Sequence, residues 1–250
     1  MNLTAYKGDA KLKTIFVEEV EKHRKLDSIV QGTYGHQNGT WKGCAVACSL
    51  RSLAIIDGEP LVEEYSNHKD YESKLGIPEW LARLEDTIFE GLPIEEAKKW
   101  PTQFAKAIPV GANLDPIKWK FCAFILKENI DRVLRLDIKD ELKEQVVKTI
   151  HGVLALHESA IKTGKWDASA ARSAASAARS AARSAARNAW NAANAASAAW
   201  SAASAARSAA SAAWSAARSA AWSAAESAES AESAAYTKYA KELLRLIKNV

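Results

Sequence analysis

Apolar residues recur at helical spacing along most of the chain. Leu12, Ile15, Phe16 and Val20, with mostly charged residues between them, predict a helix within residues 9–30. Residues 43–56 are apolar almost all round and predict a buried helix, ended by Asp57-Gly58-Glu59-Pro60. Residues 61–75 are charged and weakly patterned. Pro78 fits the first turn of a helix whose apolar face is Trp80, Leu81, Leu84, Ile88 and Phe89, with Gly91 stopping it. Pro93 opens another helix that should kink or end at Pro101, and Phe104 and Ile108 continue the pattern. Asp115-Pro116 supplies a cap and a first-turn proline for a helix filled by Trp119, Phe121, Cys122, Phe124, Ile125 and Leu126. Residues 130–138 are ambiguous, and residues 140–162 are strongly helical. The fold class this predicts is all-α.

Residues 169–236 follow a different rule. They divide into 19 units that each start with Ser or Asn, eleven of four residues and eight of three. The mean unit is about 3.6 residues, one helical turn. Alanine is the best helix former, and neither Gly nor Pro occurs after Gly164. From Asn188 to Ser197 three three-residue steps follow one another, which swings the Ser stripe by about 180°. Asn tolerates left-handed caps, so the expected bend or break lies at residues 188–194. The long residues closing the units run basic (Arg172 to Arg187), then mixed Trp and Arg, then acidic (Glu226, Glu229, Glu232).

Composition divides the chain in the same place. Residues 1–165 hold all the Gly, Pro, Cys and His and form the expected globular domain; residues 166–250 form the repeat region. The net charge of +4 permits an anionic partner without demanding nucleic acid. Three cysteines favour a reducing compartment. No apolar targeting segment opens the chain and no run approaches the ~20 apolar residues of a membrane span, so a cytoplasmic protein is expected.

Candidate chemistry gathers in residues 31–48. A polar, Gly-rich loop leads straight into the start of a buried helix, where free N–H groups and the helix dipole favour anions and would lower the pKa of Cys44. Tyr34, His36, Trp41, Lys42 and Arg51 could then cradle a small phosphate-bearing ligand. A cysteine hydrolase is the alternative, with Cys44 as nucleophile, Gln37 at the oxyanion and His151 as base. That Gln…Cys pair looks like the arrangement in papain-like and bacteriocin-processing peptidases, in which the Gln helps form the oxyanion hole, but the chain offers no strand pairs to build such a fold. Cys44 and Cys48, four apart on one helix face, could be joined on a metal by His36 or His68; with no second paired motif, no metal site and no cofactor are assigned.

The segments Gly-Cys-Ala-Val-Ala-Cys at 43–48, Gly-Ile-Pro-Glu-Trp-Leu-Ala-Arg-Leu-Glu-Asp at 76–86 and Ala-Ile-Pro-Val-Gly-Ala at 107–112 precede the alanine-rich repeat. The combination is similar to a group of bacterial and phage proteins, and the repeat alone resembles the alanine-rich tails of bacterial immunity proteins. The first resemblance supplies no activity and no site residues. A phage setting implies counter-defence by sequestering a host protein or a signalling nucleotide.

The leading expectation is a non-enzymatic binding protein that self-associates through its Ser/Ala helices, because a small-residue face is buried only by close helix contact. Its expected partners are other copies of itself, with a small anionic ligand or a host protein. Nucleic-acid binding through the Arg/Trp face is open but not favoured. Ice binding, suggested by the 11-residue spacing of Ser197, Ser208, Ser219 and Ser230, is opposed by Trp and Arg on the same helix.

Overall fold

The computed structural model describes residues 3–26, 28–38, 40–137, 139–167, 169–170 and 233–250. Most of the repeat, including the expected bend at 188–194, lies outside the described residues. The fold is all-α. Helices α1 (Ala10–Lys25), α2 (Ala45–Asp57), α3 (Glu79–Gly91), α4 (Ile94–Ala97), α5 (Trp100–Ala107), α6 (Asp115–Leu134) and α7 (Asp140–Thr163) are followed by α8 (residues 233–248). Among the described residues, no helix is long and apolar enough to cross a membrane.

Helix ends follow local chemistry. The Asp9 carboxylate accepts from the Lys11 and Leu12 N–H groups and starts α1. Gly58, left-handed at φ 68°, ends α2, and Gly164 at φ 67° ends α7. Pro78 and Pro93 sit at the N-caps of α3 and α4, one position earlier than the first turn expected for Pro78. The helix opened by Pro93 ends at Ala97, and Pro101 lies in the first turn of the next one, α5, where a missing N–H costs nothing.

One expectation fails. The Gly-rich stretch contains a short antiparallel hairpin, β1 (His36–Asn38) with β2 (Thr40–Lys42), pairing His36 with Lys42 and Gln37 with Trp41. The reason is register. Gly43 pairs with the 28–30 segment on both sides, through Val30 N–H to Gly43 O and Gly43 N–H to Ser28 O, each 2.9 Å. The residues between must return to their starting point, and a tight hairpin does this.

The chain separates into two compact units. The first holds residues 1–121 and 230–250, so the end of the chain, assigned by sequence to the repeat region, packs with the globular part. Its core is built by α1 on α2 and α5, and by α3 against α2 and α5. Phe16, Leu53, Phe89, Trp100 and Phe104 are all at most 2% exposed. Helix α8 contributes Leu243 and Ile247, both fully buried and four residues apart on one face. Its start lies so close to α3 that a Cβ on Gly91 would sit 2.1 Å from the Tyr236 ring. The second unit, residues 122–229, has a small cluster of Ala123, Ile130 and Leu154 with Leu126, Val147 and Ile150.

Candidate functional site

The buried polar groups of the first unit converge below the Gly-rich loop. Helix α3 carries two stripes on its inner side. Leu81, Ala82, Ile88 and Phe89 are apolar and buried, and Glu85 and Asp86 lie between them, 1% and 9% exposed. Four-residue spacing from Leu81 and Ala82 places both carboxylates on the packed face.

Asp86 is held by donors from three segments. The Tyr34 hydroxyl donates to Oδ2 at 2.9 Å. His68 Nε2 lies 3.4 Å from the same oxygen, while His68 Nδ1 is 2.9 Å from the Ser66 carbonyl. These two contacts fix the ring with Nε2 towards Asp86. Burial alone would raise the Asp86 pKa; hydrogen bonding from His68, Tyr34 and the Cys44 thiol outweighs it and brings the pKa below its usual value. Oδ1 is enclosed and accepts no hydrogen bond of normal geometry. Burial, with the Asp86 carboxylate beside it, keeps Tyr34 a phenol by raising its pKa to about 12.

Cys44 caps α2, its Sγ accepting from the Ala47 N–H at 3.5 Å. Its own N–H donates to the Thr33 carbonyl at 2.7 Å, which locks the loop to the helix start. The loop is also stitched to the end of α3. Gln31 Nε2 donates to the Phe89 and Leu92 carbonyls at 2.7 and 2.9 Å, and the Gly32 N–H donates to Glu90 Oε2 at 2.9 Å. As a result Cys44 Sγ and a carboxylate oxygen each from Asp86 and Glu90 lie within 4.8 Å of one another. Burial, and then Asp86, raises the Glu90 pKa, against the Gly32 hydrogen bond that lowers it.

This geometry reverses the expected chemistry of Cys44. Burial, with Asp86 next to it, pushes the thiol pKa well up instead of down. The helix dipole is overcome first by burial and then by the Asp86 carboxylate. The Asp86 and Glu90 carboxylates disfavour a phosphate there. Cys44 contacts Asp86, and the ring of His68 is engaged by that carboxylate. His151 is exposed on α7 in the second unit, and Gln37 sits on β1 opposite Trp41.

The remaining loop residues do not form a cradle. Trp41, 6% exposed, donates its indole N–H to the Glu63 carbonyl at 2.8 Å and packs edge-on against His23 and Tyr65. The Arg51 guanidinium lies over the Trp41 ring at 4.6 Å, a cation–π contact. His36 is exposed and Lys42 half-buried on the hairpin. Cys48 does not join Cys44 on a metal; its thiol points at the Gly43 and Ser28 carbonyls, at 3.4 and 3.7 Å. Of the sequence candidates, Tyr34 and Cys44 reach the site, while Asp86, Glu90 and His68 complete it.

Behind this site lies a second buried acid. The Tyr71 hydroxyl donates to Glu85 Oε2 at 2.8 Å, and Oε1 has no partner. Complete burial raises the Glu85 pKa to about 8.

No protein-family model, no curated protein and no solved structure matches the chain. The site's own chemistry therefore carries the functional reading.

Proposed function

We propose that this protein is a non-enzymatic binding protein whose site under the Gly-rich loop takes a divalent transition-metal ion of the zinc type, held by Cys44, Asp86 and Glu90. The observation that carries the reading is Asp86 Oδ1. It is a buried carboxylate oxygen that neither Tyr34 nor His68 reaches, on a residue grouped with a thiol and a second carboxylate. One sulfur and carboxylate oxygens suit a borderline ion such as zinc. Tyr34 and His68 stand behind Asp86 as orienting partners, and Gly32 does the same for Glu90. Binding displaces the thiol proton, so one proton is released for each ion bound.

Titration of the full chain with cobalt(II) tests this. The expected result is one ion per chain, with a sulfur-to-cobalt charge-transfer absorption that Cys44→Ser abolishes. Asp86→Asn should weaken binding at least tenfold. Unchanged binding in both variants, or no stoichiometric binding by the native chain, would overturn the reading.

The binding protein is further proposed to join copies of itself through the Ser/Ala repeat. Light scattering on the full chain at micromolar concentration should show a defined oligomer, and a compact monomer would refute that half. A hydrolase finds no support in a thiol held protonated beside a carboxylate.

A further inference from the structure

A concave feature lies in the first unit, between α5 and α8. It has a volume of about 600 Å³, within the range of small-molecule sites, which run from about 300 to 1,000 Å³. Its floor is apolar and well packed: Leu92, Trp100, Ala107 and Ala240 are at most 8% exposed. Its rim carries four exposed lysines, Lys99 and Lys106 on one side and Lys241 and Lys248 on the other. The single carboxylate in the lining, Glu96, is engaged by the Thr237 hydroxyl at 2.8 Å. None of the four lysines is in an ion pair among the described residues, although Lys106 lies near enough to Glu21 to help lower its pKa.

Several exposed basic side chains of the first unit pair with acids, as in Lys22–Glu19, Arg83–Glu79 and Arg245–Glu242; the four cleft lysines do not. Around the cleft, like charges from two helices instead face one another across an apolar floor. Like charges so placed repel, and an anion between them removes that cost while its apolar part covers the floor.

We infer that the cleft between α5 and α8 binds a small anionic amphiphile, a molecule with a phosphate or carboxylate group on an apolar body. The lysines hold the anionic group, and Trp100, Leu92 and Ala240 contact the body. Lysine, a strongly hydrated point charge on a flexible stem, accepts anions of varied geometry, so phosphate and carboxylate both satisfy the rim. This inference does not rest on the metal site and stands or falls separately.

The test uses 8-anilinonaphthalene-1-sulfonate, itself an anionic amphiphile, with the full-length chain. One saturable site per chain is expected, with energy transfer from tryptophan to the probe. The double substitution Lys99→Glu/Lys241→Glu should weaken binding at least tenfold, and Lys106→Glu/Lys248→Glu should do the same by an independent route. Lys11→Glu, an exposed change on α1, should leave the affinity within twofold. Raising the salt concentration should weaken the native site and leave the double variants, already weak, little changed. Displacement of the probe by adenosine triphosphate but not dodecanoate assigns a phosphate-bearing ligand; the reverse assigns a carboxylate-bearing one. Affinity unchanged in both double variants with native circular dichroism, or displacement by neither competitor, would overturn the inference.

Discussion

The first unit presents two polar regions that solve opposite problems. Around Asp86, carboxylates are taken out of water and each is held by a neighbour through one oxygen: Tyr34 and His68 on Asp86 Oδ2, Tyr71 on Glu85 Oε2, with the exposed Glu90 tied to Gly32 at the edge. Around the α5–α8 cleft, charge stays in water, and four lysines outnumber the one carboxylate of the lining. Buried groups couple site to stability, because an unmatched donor or acceptor there costs on the order of 1–3 kcal/mol. Exposed groups couple to almost nothing in the folded protein. The two regions should therefore respond to mutation, pH and salt in contrasting ways.

The largest contrast is expected from Gly35→Ala. Gly35 has φ 133°, a conformation open to glycine, and an added Cβ would meet the Glu63 carbonyl oxygen at 2.2 Å and the Trp41 indole at about 3 Å. The loop carrying Tyr34 must then move. A loss of about 3 kcal/mol in urea unfolding is expected, with loss of cobalt binding and retention of the sulfonate probe in the cleft. Equal loss of both ligands would show that the two regions are one cooperative element.

A smaller effect comes from pH. Glu85 has a folded pKa of about 8 against a usual 4.5. Between those values the folded chain keeps a proton that the unfolded chain has lost, so stability falls as pH rises, by at most about 1.4 kcal/mol per unit. His23 works the other way: burial, then Arg51, lowers its pKa to about 4, so its contribution is lost only as pH falls below about 6.5. From pH 6.5 to 8 the Glu85 term dominates. Stability should drop by about 1 to 1.5 kcal/mol across it, His23 offsetting a small part, and Glu85→Gln, which still accepts from Tyr71, should abolish the fall. A flat native curve would mean that Glu85 is not held protonated.

These outcomes bear on what could be read from sequence. Helix positions were readable because Pro78, Pro93, Gly58 and Gly164 act locally, through a fixed φ or a left-handed cap. The importance of the loop-to-helix junction at Cys44 was readable for the same reason. Its chemistry was not, because the thiol shift is set first by burial in the folded core and then by Asp86, 42 positions away in sequence. A signal did exist: Glu85 and Asp86 stand four residues after Leu81 and Ala82, on the face that Ile88 and Phe89 continue. Two adjacent acids on an apolar stripe mark a buried polar site. The cleft left no such mark, since its lysines come from helices more than a hundred residues apart and each looks like ordinary surface.

Tyr34→Phe probes the enclosed region more gently. It removes one donor to Asp86 Oδ2 and leaves His68 in place. A loss of about 1 kcal/mol is expected at neutral pH. The Asp86 pKa lies below its usual value, so its share of stability is present above that range and lost as pH falls through it. With a weaker hold on the carboxylate that loss should begin at higher pH, seen as an upward shift of the acid-unfolding midpoint. An unshifted midpoint would assign the hold on Asp86 to His68 and Cys44.

The smallest predicted stability change is the most informative about the cleft. Lys99→Ala and Lys241→Ala remove exposed side chains that make no ion pair among the described residues, so each should change unfolding free energy by no more than about 0.5 kcal/mol. Relief of repulsion across the cleft makes the expected sign slightly stabilising, most visibly at low salt. The same substitutions should weaken the sulfonate probe. A protein that becomes marginally more stable while losing a ligand has been carrying that repulsion for the ligand's sake. A clear loss of stability at either position would instead make the lysine a packing residue through its aliphatic stem. The contrast with the Asp86 region would then narrow to one of depth.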